Sequence, residues 1–143
     1  MGMDMKQQIT TALGIAPGAD PRQLSALTLA YLGDTIYDLY VRTLLALESE
    51  ARVHELHLLS NRLVCAKGQA EAYRRIQPVL TEEEDAAFRR GRNAHSATVP
   101  KNADVRDYRV ATGLESLLGY LYCLGRDDRI GELMKIALGK DTE

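Results

Sequence analysis

Apolar residues recur with a helical period over most of the chain. After Asp20-Pro21, an N-cap and first-turn pair, Leu24, Leu27, Tyr31, Leu32, Ile36, Leu39 and Tyr40 return every few positions. That pattern predicts a long helix to about Leu47, jointed near Gly33. A second amphipathic stretch runs from Val53 to Ile76 and stops at Pro78. Thr81 with Glu84 three residues on reads as a capping box, opening a short helix to about Arg92. The acidic run Glu82-Glu83-Glu84-Asp85 complements the dipole at that helix start. Asn93 to Asn102, with Pro100 and small polar residues, predicts a loop. Asp104 then caps a helix that Gly125 ends, and a last helix covers about Asp127 to Leu138 before Gly139. No segment alternates in the manner of a strand. The predicted fold class is all-α, with one domain at 20–139, an N-terminal extension at 1–19 and a C-terminal tail at 140–143.

Bulk properties narrow the picture. A chain of 143 residues with 45% apolar content can bury a real core without disulfide or metal staples. Its apolar runs are too short to span a bilayer, and residues 1–20 lack a secretory hydrophobic segment, so a cytoplasmic protein without a membrane partner is expected. Cys65 and Cys123 have no Cys or His at zinc-ligand spacing and read as core thiols. The net charge of −2 argues against a generally basic nucleic-acid coat. Its distribution matters more: Arg89 to Arg109 holds six cationic residues against two acidic ones, a local charge of +4, and is a candidate phosphate-facing patch.

The carboxylates carry the candidate chemistry. Between Asp20 and Glu48 the only acidic residues are Asp34 and Asp38, in a stretch of Leu, Ala, Tyr, Ile and Val. A carboxylate taken out of water needs a metal, a cation or an amide partner. Gly33, just before Asp34, is costly inside a helix and points to close backbone approach or a joint. Glu115 is the only acidic residue between Asp107 and Asp127. On its helix Val110, Leu114, Leu117, Leu118, Leu121 and Leu124 form the packing stripe, while Thr112, Glu115, Ser116 and Gly119 form a narrow small or polar face that something must approach closely. If the two helices pack side by side, Asp34 and Glu115 meet in a shallow apolar-walled site suited to a hard cation such as magnesium, which keeps several waters and needs only one or two protein carboxylates. Taken singly, each is equally open to a helix-terminal or ion-paired reading. His54 and His57 read as surface or packing residues, Arg74 and Arg75 as a solvated helix face, and Tyr37, Tyr40, Tyr108, Tyr120 and Tyr122 as core aromatics.

Two separated blocks, LTLAYLGDTIYDLYVR (Leu27 to Arg42) and RGRNAHSATVPKNADVRDYRVATGLESLLGYLY (Arg90 to Tyr122), together with the HELH run from His54, resemble Mini-ribonuclease III, the short relative of ribonuclease III. The resemblance covers about residues 20 to 138. It implies an all-helical ribonuclease III-type endonuclease domain acting as a homodimer, with no separate double-stranded-RNA-binding domain. It implies magnesium as cofactor, with manganese as a substitute, and a double-stranded RNA substrate, the precursor of the 23S large-subunit ribosomal RNA. Cleavage would leave phosphate on new 5′ ends, and a ribosomal protein on the substrate is left open as a further partner. Asp34 matches the signature aspartate after the glycine, and Glu115 the metal-binding glutamate of the later helix. Longer relatives carry a further glutamate where this chain has Ala30 and an aspartate where it has Thr112. Asp38, one turn after Asp34, reads either as a structural carboxylate or as a water or metal holder compensating for those losses.

For RNA contact, Arg89, Arg90, Arg92, Asn93, His95, Lys101 and Asn102 are the candidates, since duplex RNA is read by shape through phosphates and 2′-hydroxyls. Two other readings compete. One is a non-catalytic helical RNA-binding or ribosome-assembly module; the other is a helical nucleotide pyrophosphohydrolase using Glu82, Glu83, Glu84 and Asp85 for magnesium.

Overall fold

The structure is a computed structural model that describes residues 2–16, 18, 20–94 and 104–142. The described residues form seven α-helices: α1 (Met5–Leu13), α2 (Ala26–Glu48), α3 (Val53–Val64), α4 (Ala66–Ile76), α5 (Glu82–Asn93), α6 (Val105–Cys123) and α7 (Asp127–Ala137). No strand occurs among them, so the all-α expectation holds. Local chemistry sets most boundaries. Thr81 and Glu84 form both bonds of the capping box at α5, and Asp104 Oδ1 accepts from the amides of Arg106 and Asp107 to start α6. Gly125 and Gly139 end α6 and α7 with φ of 75° and 71°, backbone that glycine adopts without steric penalty.

Four boundaries differ from expectation. Asp20 caps only a 3₁₀ turn at Pro21–Gln23; α2 starts after Ser25, whose hydroxyl accepts from the Thr28 amide. Nor is α2 jointed at Gly33; it runs unbroken for 23 residues. The Val53–Ile76 stretch is two helices, because Cys65 is extended (φ −66°, ψ 164°) and caps α4 through Sγ, which accepts from the Gly68 amide. Cys65 is accordingly exposed rather than a core thiol, while Cys123 is buried. Finally, the 1–19 extension contains α1, opened by an Asp4–Gln7 capping box. It is tied down by the Met5 amide donating to Asp127 Oδ2 at 2.8 Å and Lys6 Nζ donating to the Cys123 carbonyl at 2.7 Å.

The centre of the fold is α6, which packs against α2, α4, α5 and α7. Both its leucine stripe and its small-residue face are buried; the former supplies Leu114, Leu117, Leu118 and Leu121, each without exposed surface. Burying each such side chain stabilises the fold by about 2 kcal/mol. The small face admits two neighbours. A Cβ added at Gly33 would overlap the Glu115 carbonyl, and one at Gly119 would overlap the Leu29 carbonyl. Leu29 to Gly33 therefore runs alongside Gly119 to Glu115, an antiparallel crossing at backbone contact. On the other flank, a Cβ at Gly91 of α5 would strike the Ser116 side chain.

In α2 the buried residues are Leu29, Ala30, Gly33, Tyr37 and Val41, whereas Tyr31 is 78% exposed and Leu39 52%. Its sequence is apolar nearly all round, so periodicity alone does not select the packed face.

The crossing predicts opposite outcomes for two glycine substitutions. Gly33→Ala forces α2 and α6 apart and should cost about 3 kcal/mol or more. Gly131→Ala, within α7 with only the Tyr40 hydroxyl at 3.7 Å, should gain about 1 kcal/mol from helix propensity. Urea midpoints measured at unchanged m-value check both; a Gly33→Ala protein of wild-type stability would show that the helices are not in backbone contact.

Candidate functional site

The α2–α6 crossing places Asp34 beside Glu115. Gly33 lies against the Glu115 carbonyl, and the next residue, Asp34, sets its carboxyl close enough to that of Glu115 for its charge to raise it. The two differ in setting: Asp34 is exposed and Glu115 is half-buried. The expectation that Asp34 is itself withdrawn from water is thus corrected; it stands at the rim, beside the buried stripe of Leu29, Ala30, Gly33, Tyr37 and Val41 and not on it.

Glu115 is held from the other side by Gln69 of α4, whose Nε2 donates to Glu115 Oε2 at 3.1 Å and to the Val64 carbonyl at 3.0 Å. Burial pushes the Glu115 carboxyl up, the Gln69 bond opposes this, and the charge of Asp34 raises it further, to about 8. Among the described residues, no ion pair includes Asp34 or Glu115. The contrast with Glu84 is direct. Burial raises Glu84 too, but Arg129 grips both its oxygens at 2.8 Å, and the net effect holds its carboxyl below the usual range. One sequestered glutamate has its arginine; the other faces a second carboxylate.

A two-oxygen donor set short of positive charge fits a hard divalent cation of the magnesium type, which needs one or two protein carboxylates and completes its shell with water. Asp38 does not join the pair. Its carboxylate is held by Arg42 at 2.9 Å on the same helix, and no three carboxylate, imidazole or thiol groups converge among the described residues. The acidic run of α5 is also committed: Glu83 accepts from the Tyr120 hydroxyl and Arg126, Glu84 binds Arg129, and Asp85 pairs with Arg89. The pyrophosphohydrolase reading loses its metal cluster to these contacts.

Of the cationic candidates, Arg89, Arg90 and Asn93 line a shallow recess with Ala86 along the exposed face of α5. Arg92 lies over the Phe88 ring, 5.8 Å from its centroid, and donates to Asn93 Oδ1. His95, Lys101 and Asn102 lie outside the described residues. His54 and His57 are exposed, as is Arg75, which donates to the Ala137 carbonyl. Sequence reasoning passed over Gln69, because a glutamine inside an amphipathic helix carries no signal of its own.

Comparisons with known proteins bear on the family and the fold. The Ribonuclease III domain family matches residues 27–126. A Mini-ribonuclease 3 of Enterococcus faecalis is 44% identical over 126 residues, covering 87% of this chain and 96% of the relative. A Mini-ribonuclease 3 of Clostridium tetani is 42% identical over 120 residues, covering 83% and 80%. A crystal structure of a Fusobacterium nucleatum protein superposes with a TM-score of 0.75 at 31% identity, covering 85% of this chain and 97% of that one. No helix among the described residues is long and apolar enough to cross a membrane.

The raised Glu115 carboxyl predicts a pH dependence in metal-free buffer. The folded chain keeps that proton to about pH 8, whereas the unfolded chain releases it near 4.5. Between those values the folded state binds more protons, so this group makes stability fall as pH rises. Glu115→Gln removes the effect. Its melting temperature should match the wild type near pH 4.5 and exceed it near pH 8, by about 3 °C for each kcal/mol recovered. Parallel melting profiles across that window would mean that Glu115 ionises as in an open chain.

Proposed function

Because the chain belongs to the Mini-ribonuclease 3 family, we propose that it is a magnesium-dependent endoribonuclease that cuts double-stranded RNA, with Asp34 and Glu115 as the metal-holding carboxylates. The observation that carries this reading is the Asp34–Glu115 pair itself, two carboxyls brought together from different helices, Glu115 raised by burial and by the charge of Asp34, where no ion pair among the described residues neutralises either. What a divalent ion supplies in such a site is positive charge on the scissile phosphate and acidification of water. The chain's own part is to hold and orient: Glu115 is fixed by its burial and by Gln69, and Asp34 faces solvent, where a duplex backbone has access.

The RNA surface assigned is the outer face of α5. Arg89, Arg90 and Asn93 are exposed there, and Gly91 packs α5 against Ser116, next in sequence to Glu115, so the cationic face is carried on the neighbour of the carboxylate helix. The Arg89–Asp85 pair is exposed and costs little to exchange for a phosphate. Arg92, His95, Lys101 and Asn102 extend the same assignment. Asp38, paired with Arg42, is assigned a structural role.

A homodimer accounts for the exposed apolar residues Leu27 and Tyr31, two turns and one turn before Asp34 on α2. A two-fold pair of sites would cut both strands of a duplex. The finer assignment rests on the family resemblance alone: the 23S precursor as substrate, manganese as an alternative cofactor, 5′ phosphate on the products, a ribosomal protein on the substrate and a cytoplasmic setting.

The test is incubation of the pure protein with a long RNA duplex, with and without magnesium, and characterisation of product ends. Asp34→Asn and Glu115→Gln should sediment as the wild-type dimer and bind the duplex, yet cleave it orders of magnitude more slowly. Arg90→Ala should weaken binding and lower its logarithmic salt slope by about 1. Wild-type protein that leaves the duplex intact in magnesium would make the chain a non-catalytic RNA-binding module instead.

A further inference from the structure

Between α3 and α4 the helix breaks at Cys65 although the sequence there contains neither proline nor glycine at the break. In a continuous helix the Val64 carbonyl would accept from the Gly68 amide four residues on. The extended Cys65 redirects that amide to its own Sγ and leaves the Val64 carbonyl to Gln69 Nε2. The neighbouring Leu63 carbonyl is taken by the Tyr37 hydroxyl of α2 at 2.9 Å. The joint thus has two attachments. Tyr37, one turn after Gly33, ties it to α2, and Gln69 ties it to Glu115 on α6.

The orientation of the Gln69 amide is decided by its surroundings. The side chain is only 3% exposed, and both Nε2 protons are used, on the Val64 carbonyl and on Glu115. Its Oε1 is buried with no partner among the described residues. Turning the amide over would aim that oxygen at two other acceptors. An unsatisfied buried oxygen is unfavourable, and the fold accepts it while keeping both donors in place.

From this chain of contacts we propose that Gln69 is a positioning residue for the metal site, its carboxamide locking the Glu115 carboxylate to the α3–α4 joint so that the carboxylate meets a cation in one orientation. The proposal rests on the metal-holding role assigned to Asp34 and Glu115 above. Partners that orient a metal-binding carboxylate typically change metal affinity by about 10–100-fold when removed.

The experiment measures manganese binding to the RNA-free protein by calorimetry, and the magnesium dependence of duplex cleavage, for wild type, Gln69→Leu and Gln69→Asn. Leucine has nearly the same volume and removes the orphaned oxygen, so the variant should fold; asparagine keeps the polarity but is one methylene too short to span from Val64 to Glu115. Both should bind manganese about 10–100-fold more weakly and need correspondingly more magnesium for half-maximal rate, with duplex affinity unchanged and most of the rate recovered at saturating metal. A purely structural glutamine would lower the melting temperature without moving the metal affinity. Unchanged manganese affinity in either folded variant overturns the proposal, as does a wild-type protein that binds no manganese. If the wild type binds manganese in a Gln69-dependent way yet cleaves no duplex, the nuclease reading fails and the positioning role stands.

Discussion

The backbone contact between α2 and α6 is the constraint from which the rest follows. Two glycines, Gly33 and Gly119, each meet the main chain of the opposite helix, and because they sit four residues from their counterparts on antiparallel helices, they fix register as well as distance. Side chains at the crossing are consequently placed by main-chain geometry, which is stiffer than any rotamer. Asp34 and Glu115 flank that contact. Their meeting is therefore a property of the fold rather than of two flexible side chains finding each other, which is what a site needing sub-ångström arrangement requires.

The electrostatics divide the molecule's carboxylates into two kinds. Glu83, Glu84, Asp38 and Asp85 each lie against an arginine, and their contribution is structural: Glu84, with Arg129, joins the start of α5 to α7. Glu115 is different in that the opposing forces on it leave the neutral form favoured. Burial and Asp34 favour its neutral form, and only the Gln69 amide favours the charged one. A group left in that imbalance is a poor structural element and a good acceptor of external positive charge.

How much of this was readable in the sequence depended on range. Interactions over three or four residues were legible: the Thr81–Glu84 box, the Asp104 cap and the glycines at 125 and 139 all act where their spacing places them. The Asp4–Gln7 box of α1 carried the same signal and could have revealed that helix. The candidate pair was legible too, since acidic residues isolated in apolar helices stand out by composition. What was not legible is set by tertiary contact. The break at Cys65 lies within an unbroken amphipathic pattern, and the packed side of α2 cannot be chosen among apolar residues on every side. Gln69 acquires its meaning only from the carbonyl and carboxylate that two other segments bring to it.

The antiparallel crossing has a consequence in time. The aspartate of the pair belongs to the second helix to leave the ribosome and the glutamate to the sixth, and chains fold from their N-terminal end as they are made. A nascent polypeptide interrupted before α6 holds one carboxylate, no crossing glycine pair and no opposing main chain. The paired site proposed above thus arises in a single late event, the docking of α6, and an unfinished chain lacks it.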